Sequence, residues 1–468
     1  MKNKMKYLSN PIAWQMFGNM GIKAIVFFSI ALFTRIMSVE DYGLYNVYLV
    51  YEGLLTAVMG LGLNETVKVA KFHYENKYTD YLKSISLYSV LCSVLFAGVM
   101  LFFGIFFVAT ASGIITMLIL VANATCNCLT NILTQKYIIN GQHIKYTILL
   151  FAINIPQIVV SLGLILSVNN ISDINARIIG HTLPLIVLGI ICLYVFCEKG
   201  KFSFRYLGYC LKMGMPLMFV QVSASLLSQS DRIFIQHYCG DREAGLYSGI
   251  VSVTSILYII MLSLENVWMS WFYKRIHGKE FGTIRNMVKW YWLLFAFFIS
   301  GMILCGPEIV KIILSKQYTE AVDLVIPLSL SWFFVCLYIT INAVEVYYKK
   351  TIICTVCTVS GMLLNILLNV IYIPMYGYVA AGYTTLFSYM VVFVLHYLAE
   401  KIFCKSNLFV VKQIGMSGAI LLVSSAVAYF CINNIFVRYT SFLLITLIIG
   451  VFARGNRNKL RSMINAEK

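Results

Sequence analysis

The chain has 468 residues, of which 60% are hydrophobic and only 12% are charged. A soluble globular domain has roughly 45–50% apolar and about 25% charged residues. The composition therefore excludes an ordinary soluble enzyme or binding domain and indicates a polytopic membrane protein. The formal net charge is +17, so the positions of the Lys and Arg residues must decide between a nucleic-acid partner and a membrane.

Apolar runs of about 20 residues, the length that a helix needs to cross a bilayer, occur along the whole chain. The first run follows the basic segment MKNKMKYLSN; it is too long for a cleaved signal peptide and has no small-residue cleavage site after it. We therefore expect it to be the first membrane helix. Fourteen membrane helices are predicted, near residues 13–37, 42–63, 84–108, 112–134, 146–168, 174–197, 213–236, 245–272, 290–314, 324–347, 352–373, 377–399, 413–432 and 437–453.

The basic residues between the runs test this assignment independently, because cytoplasmic connections are enriched in Lys and Arg. Almost all of them fall in one alternating set of segments, which includes both tails. The other set holds only Arg242, Lys316 and Arg438. This asymmetry predicts that both termini are cytoplasmic. It also accounts for the net charge through topology and anionic lipid, which argues against a nucleic-acid partner.

An internal repeat is visible in two places. The triplet Gly-Leu-Tyr begins at Gly43 and at Gly245, and Gly180-His-Thr is matched at the same offset by Gly382-Tyr-Thr. A shared offset predicts a duplication, with helices 1–6 corresponding to helices 7–12. Because six is even, we expect two parallel six-helix lobes around a central cavity, plus two C-terminal helices. The predicted domains are the N-terminal lobe at 1–200, the C-terminal lobe at 201–400, and the last two helices with a basic cytoplasmic tail at 401–468.

Two stretches of the second half carry a family pattern. Residues 215–249 read MPLMFVQVSASLLSQSDRIFIQHYCGDREAGLYSG, and residues 363–389 read LLNILLNVIYIPMYGYVAAGYTTLFSY. The succession of Ser-x-Asp-Arg, Gly-x-Tyr-Ser, an Asn-rich helix, Ile-Pro-x-Tyr-Gly and Ala-Ala-Gly resembles the polysaccharide-repeat flippases of O-antigen and capsule export. So does EDYGLYNVYLVYEGLLTAVMGLGLNETV at 40–67. These flippases belong to the superfamily of multidrug, oligosaccharidyl-lipid and polysaccharide exporters.

The resemblance implies a transporter and not an enzyme. Its substrate would be an undecaprenyl-diphosphate-linked repeat unit, moved by alternating access from the cytoplasmic to the periplasmic leaflet of a bacterial inner membrane. It implies no cofactor but coupling to H⁺ or Na⁺. Its partners would be the lipid-linked oligosaccharide, membrane lipids, and a polymerase or other polysaccharide-assembly membrane proteins.

Three other functions are alternatives to this hypothesis. An ion-coupled exporter of small organic cations would need an acidic cavity. The excess of Lys and Arg side chains inside the helices argues against this function. A peptidoglycan-precursor (lipid II) flippase handles the same diphosphate, so charge does not separate it from the leading hypothesis. A membrane polymerase or ligase is disfavoured because the external connections are all short.

The predicted substrate site rests on charges inside helices, since each costs about 2.5–3.5 kcal/mol to insert and usually faces a cavity or a partner. Four cations are predicted to bind the diphosphate: Lys23, Arg35, Arg177 and Arg232. For Lys23, near the midplane, the alternative is a buried ion pair with Glu52 at similar depth. For Arg232 the alternative is structural anchoring.

Four acidic residues are candidates for ion coupling or for ion pairs: Glu52, Asp231, Glu265 and Glu345. For Glu265 and Glu345 the alternative is anchoring at the cytoplasmic interface. The thirteen Cys lie mostly inside apolar runs, and neither they nor the six His show the spacing of a zinc site. No metal site is predicted.

Overall fold

The computed structural model describes residues 11–107, 111–168, 170–198, 200–406 and 408–456. The basic segments at 1–10 and 457–468, which the topology prediction uses, lie outside the described residues. Within the described residues the secondary structure is entirely helical, as predicted. The helices of the first half are α1 (Pro11–Ile36), α2 (Val39–Met59), α3 (Leu63–His73), α4 (Tyr78–Phe107), α5 (Ala111–Ile139), α6 (His143–Ser167), α7 (Asp173–Cys197) and α8 (Arg205–Tyr238).

The second half continues in the same way. Short 3₁₀ segments occur at Glu75–Lys77, Lys316–Leu324 and Val411–Gln413. The helices are α9 (Asp241–Thr254), α10 (Ile256–His277), α11 (Phe281–Ile313), α12 (Val325–Tyr347), α13 (Thr351–Tyr376), α14 (Val379–Phe403), α15 (Gly415–Phe430) and α16 (Ile435–Gly455).

Each of the fourteen predicted runs coincides with one helix or with two consecutive helices. The run 42–63 covers α2 and the start of α3, and the run 245–272 covers α9 and α10. Twelve segments of the described chain are long and apolar enough to cross a membrane. The other two predicted spans correspond to α1 and to α15, which has only 16 residues. The helical membrane fold is thus confirmed, and the count of fourteen stays a prediction for these two helices.

Large apolar side chains are exposed on many of the helices. Phe430 is 81% exposed, Ile352 79% and Val451 72%. In water such side chains would carry a large hydrophobic cost, whereas lipid tails accommodate them. Together with the twelve apolar segments, this surface identifies a multi-pass membrane protein.

The contacts divide the chain into two compact units, Met1–Ile233 and Phe234–Lys468. In the first unit the closest helix pairs include α4 with α5, α5 with α7, and α6 with α7. In the second unit they include α11 with α12, α12 with α14, and α13 with α14. In the predicted repeat, α4, α5, α6 and α7 correspond to α11, α12, α13 and α14. The same three helix pairs are therefore close in both units, as a duplicated six-helix unit would produce.

A tight break in the first unit separates α2 from α3. Gly62 has a φ of +65°, in the left-handed region that favours glycine. A Cβ on Gly62 would lie 2.4 Å from the carbonyl oxygen of Gly214, and a Cβ on Gly214 would lie 2.2 Å from the carbonyl oxygen of Leu61. Two glycines therefore allow the break to contact the backbone of α8 directly.

Candidate functional site

A buried polar cluster lies in the first unit, where α2, α5 and α7 meet. The carboxylate Oε1 of Glu52 on α2 accepts a hydrogen bond from Nδ2 of Asn127 at 2.5 Å. The same oxygen lies 3.1 Å from Nε2 of His181 on α7. The side chains of His181 and Glu52 are only 13% and 5% exposed. The second carboxylate oxygen, Oε2, is buried without a hydrogen-bond partner in the described part of the chain.

The other ring nitrogen of His181 extends this cluster to Tyr45. Nδ1 lies 3.3 Å from the Tyr45 hydroxyl. When the His181 ring is neutral, it can donate from Nε2 to Glu52 and accept at Nδ1 from Tyr45. When it is protonated, both nitrogens donate and the tyrosine hydroxyl accepts. The donor and acceptor roles of the two ring nitrogens therefore depend on the tautomer and the protonation state of His181.

Arg177 completes the cluster on the side of Tyr45. Its guanidinium carbon lies 3.7 Å from the centre of the Phe33 ring and 4.6 Å from the centre of the Tyr45 ring. Its Nη1 donates to Oγ of Ser161 at 2.8 Å, and its Nε is buried without a hydrogen-bond partner among the described residues. Arg177 is thus enclosed by protein and makes cation–π contacts with two aromatic rings. The contact with Tyr45 fixes the position of that ring.

The close approach of α6 and α7 makes these contacts possible. A Cβ on Gly180 would lie 2.4 Å from the Cα of Ser161, so only glycine allows the two backbones this close. Gln157, one turn before Ser161, donates from Nε2 to the carbonyl oxygen of His181 at 3.2 Å. The glycine on α7 and the two polar residues on α6 therefore hold Arg177 and His181 in place.

A second set of hydrogen bonds anchors α5 beside the cluster. Nδ2 of Asn123 donates to the Tyr48 hydroxyl at 2.7 Å and to Oγ1 of Thr182 at 3.0 Å. Buried amides need such partners because an unsatisfied polar group costs about 1–3 kcal/mol. The result is a continuous polar strip across α2, α5 and α7 in the interior of the first unit.

The other predicted cations of the first unit are more accessible than Arg177. Lys23 is half-buried on α1, and Arg35 is exposed near the end of that helix. Arg232 is half-buried on α8, and its Nη1 lies 3.5 Å from Oε1 of Gln229. Asp231, beside it, is buried. All four residues interact with neighbouring groups, and their predicted roles stay predictions.

The second unit contains another carboxylate–imidazole pair. Nδ1 of His396 on α14 lies 2.9 Å from Oε2 of Glu345 on α12, and both side chains are fully buried. The thiol of Cys354 donates to the same oxygen at 2.9 Å. Glu265, the remaining acidic candidate, is half-buried on α10. Two of the four acidic candidates, Glu52 and Glu345, thus have a histidine partner.

Sequence reasoning missed both histidines, because it looked for metal-ligand spacing along the chain. His181 and Glu52 are far apart in sequence and meet only through the packing of α2 against α7. A usable signal was present, since an imidazole inside an apolar run must find a polar partner. Among the described residues, no group of three or more His, Cys, Asp or Glu side chains is placed to hold a metal ion.

A protein-family model matches the part of the chain that contains the polar strip. The family model described as "Polysaccharide biosynthesis protein" matches residues 9–274, which is more than half of the chain. The chain belongs to the polysaccharide biosynthesis protein family. The matched range includes every residue of the cluster around Glu52, and the resemblance to polysaccharide-repeat flippases is confirmed.

Individual relatives have low sequence identity to this polysaccharide biosynthesis protein. It is 21% identical over 305 residues to "Lsg locus putative protein 1" of Haemophilus influenzae, covering 63% of this chain and 72% of that protein. Its fold is similar to the lipid II flippase MurJ in an inward closed conformation, with a TM-score of 0.73, 16% identity, and coverage of 94% of this chain and 99% of that chain.

A second similar fold is an inward-facing multidrug resistance MATE family transporter of the MOP superfamily. Its TM-score is 0.64 at 11% identity, with coverage of 83% of this chain and 94% of that chain. At such identities the two structures show the fold alone. The family and these neighbours are flippases and transporters, and this polysaccharide biosynthesis protein has the fold of the MOP superfamily.

Proposed function

We propose that the protein moves an undecaprenyl-diphosphate-linked polysaccharide repeat unit from the cytoplasmic to the periplasmic leaflet of a bacterial inner membrane by alternating access. The observation that carries this proposal is the family match over residues 9–274. The cations inside the helices of the same region add chemical support, because a diphosphate needs positive partners once it leaves water.

The four predicted cations have different parts in this proposal. Lys23, Arg35 and Arg232 are half-buried or exposed, which leaves them accessible to a ligand. In this proposal they contact the diphosphate, and the two guanidinium groups bind it in a bidentate way. Arg177 is enclosed between two rings. It acts as a positioning residue that holds Tyr45 against His181.

The energy source in this proposal is a proton gradient, and Glu52 with His181 carries the proton. The carboxylate of Glu52 and the imidazole of His181 lie 3.1 Å apart inside the first unit, and ionisable side chains within membrane helices commonly form proton relays. Sodium instead favours sites built from oxygen ligands, and an imidazole at the carboxylate does not supply one. Na⁺ coupling is the alternative outcome, and Asp231, Glu265 and Glu345 are the other acidic positions that a coupling test should include.

Deletion of the gene followed by lipid analysis tests the function. We expect lipid-linked repeat units to accumulate in the cytoplasmic leaflet, while surface polysaccharide is lost and peptidoglycan synthesis continues. Accumulation of lipid II with cell lysis would favour the peptidoglycan-precursor flippase instead. Sensitivity to organic cations without any lipid intermediate would favour the multidrug-type exporter.

Topology and partners are tested in the same host. Reporter fusions at both ends should indicate cytoplasmic termini in the inner membrane, as the distribution of Lys and Arg predicts. Crosslinking in whole cells should capture a polymerase or another polysaccharide-assembly membrane protein. A periplasmic reporter signal at either end would contradict the predicted topology but would not affect the family assignment.

A further inference from the structure

A polar pocket of about 360 Å³ lies wholly within the first unit. Its walls come from α2, α4, α5 and α8, together with the start of α3 just after the break at Gly62. We call it the amide pocket, defined by its polar side chains Thr56, Asn64, Ser89, Asn131, Gln221 and Ser225. Its volume is at the small end of the range for ligand sites, roughly 300–1,000 Å³.

The amide pocket has a lining of mixed polarity, and the described residues that form it carry no charge. Its lining contains amides, hydroxyls, one thiol, small residues and the larger apolar side chains of Leu63 and Ile132. Among the described residues that line it there is no Lys, Arg, His, Asp or Glu. Asn131 is exposed and Gln221 is half-buried. Within the described part of the chain, the amides of these two residues have no hydrogen-bond partner, unlike Asn64, which donates to Glu65 at 3.3 Å. Because neither amide is buried, both are accessible to a ligand that enters the pocket.

Small residues keep the pocket open. Gly53 and Gly60 lie on the α2 wall with Ala57, and Ala224 lies on the α8 wall. A Cβ on Gly60 would lie 2.7 Å from the carbonyl oxygen of Thr56 and 3.2 Å from Sγ of Cys128. Larger side chains at these positions would therefore fill the pocket or displace α5.

We propose that the amide pocket binds the saccharide part of the transported lipid, as a subsite for uncharged sugar separate from the cations that hold the diphosphate. This inference rests on the proposed function. Amides and hydroxyls both donate and accept hydrogen bonds, as sugar hydroxyls and acetamido groups do. A diphosphate would be desolvated in this pocket without a compensating cation, so the lining selects against it.

The location fits the direction of transport. By the predicted topology, the end of α2, the start of α4 and the end of α5 are cytoplasmic, which is the side from which the substrate enters. Thr56, which lines the pocket, lies one helical turn after Glu52 on α2. A bound sugar would therefore lie one helical turn from Glu52, where its presence can influence the coupling pair.

Binding measurements on the purified full-length protein test the inference with two probes. The first is the lipid-linked saccharide purified from the deletion strain, and the second is undecaprenyl diphosphate without sugar. The variants Asn131→Leu and Gln221→Leu each replace one amide with an apolar side chain. Asn175→Leu, an exposed position on α7 away from the pocket, is the matched control, and a thermal unfolding curve of each variant checks the fold.

We expect each pocket variant to raise Kd for the saccharide-bearing lipid about tenfold, equivalent to about 1.4 kcal/mol. Its Kd for undecaprenyl diphosphate should stay that of the parent, as should both values for Asn175→Leu. Unchanged binding of the saccharide-bearing lipid would overturn the inference, and so would equal losses for both probes in correctly folded variants. A deletion strain with no lipid-linked saccharide would instead overturn the proposed function itself.

Discussion

The imidazole Nε2 of His181 lies 3.1 Å from the carboxylate Oε1 of Glu52 and joins α7 to α2 in the interior of the first unit. Neither helix presents a second ionisable side chain to Oε1, whose other partner is the neutral amide of Asn127. The charge of this pair therefore depends on how many protons it holds. In a poorly hydrated interior, a change of one charge alters the stability of the local packing substantially.

Glu52→Gln should abolish proton-coupled export and leave the fold intact. Glutamine keeps the size of the side chain and can still hydrogen bond to His181, but it cannot bind and release a proton. In proteoliposomes with an imposed pH gradient, we expect substrate-dependent proton movement to fall to background. Glu75→Gln, at an exposed position in a 3₁₀ turn, is the control and should behave as the parent. Full proton movement in Glu52→Gln would remove Glu52 from the coupling site.

Arg177→Met should lower the stability of the first unit. The substitution removes the bond to Ser161 and the contacts with Phe33 and Tyr45. We expect a loss of roughly 2–3 kcal/mol in the free energy of unfolding, read as a lower Tm. Arg177→Lys should recover only part of the Tm, because an ammonium group cannot stack in the same way. A variant with the parental Tm but no export would instead assign Arg177 to substrate binding.

The sequence predicted the helices well because membrane insertion depends on local composition. Runs of apolar residues and the placement of Lys and Arg are properties of single segments, so the assignments near 146–168 and 352–373 agree closely with α6 and α13. The break between α2 and α3 was not predicted. It depends on Gly62 meeting Gly214, which is a contact between distant parts of the chain.

The candidate site was only partly accessible to sequence reasoning for the same reason. Glu52 and Arg177 stood out because charges inside apolar runs are rare. Their actual neighbours, His181 and Tyr45, are ordinary residues until the packing of α2 against α7 places them together. The amide pocket was invisible, since Asn131 and Gln221 lie on helices whose order in sequence says nothing about their distance in space.

Lys23→Ala should impair export more than Lys23→Arg, because the proposed role requires a positive charge and not a particular shape. Lys23 is half-buried on α1, so either variant should fold. Transport of the lipid-linked repeat in complemented deletion cells is the readout, with protein level in the membrane as the control. Equal and full export in both variants would remove Lys23 from the substrate site.

Gly180→Ala should destabilise the first unit strongly, whereas Gly163→Ala should not. The Cβ of an alanine at 180 would lie 2.4 Å from the Cα of Ser161, while nothing lies within 4 Å of the corresponding Cβ at 163. Separating α6 from α7 would also loosen Arg177 and His181. We expect a loss of about 2–4 kcal/mol for Gly180→Ala and a change of less than about 1 kcal/mol for Gly163→Ala. Similar Tm values for the two variants would contradict the close packing of α6 and α7.

Arg438→Met should weaken the attachment of α16 to α11 in the second unit. Nη2 and Nη1 of Arg438 donate to the two carboxylate oxygens of Glu308 at 2.5 and 2.8 Å, and Nη1 also donates to the carbonyl oxygen of Leu304 at 2.6 Å. Arg438 is buried and Glu308 is 21% exposed, so removing the arginine leaves a partly buried carboxylate without its compensating charge. We therefore expect a loss of roughly 2–4 kcal/mol in the free energy of unfolding.

The double variant Arg438→Met/Glu308→Gln separates this loss into its causes. Because the double change also removes the stranded carboxylate, it should recover at least half of the stability that Arg438→Met loses. Arg454→Met, an exposed position on the same helix, is the control and should leave Tm unchanged. Unfolding in a graded series of detergent concentrations measures all three variants. If the double variant were as unstable as Arg438→Met, the loss would come from the bond to Leu304 and the packing of the Arg438 side chain, and not from an unpaired charge.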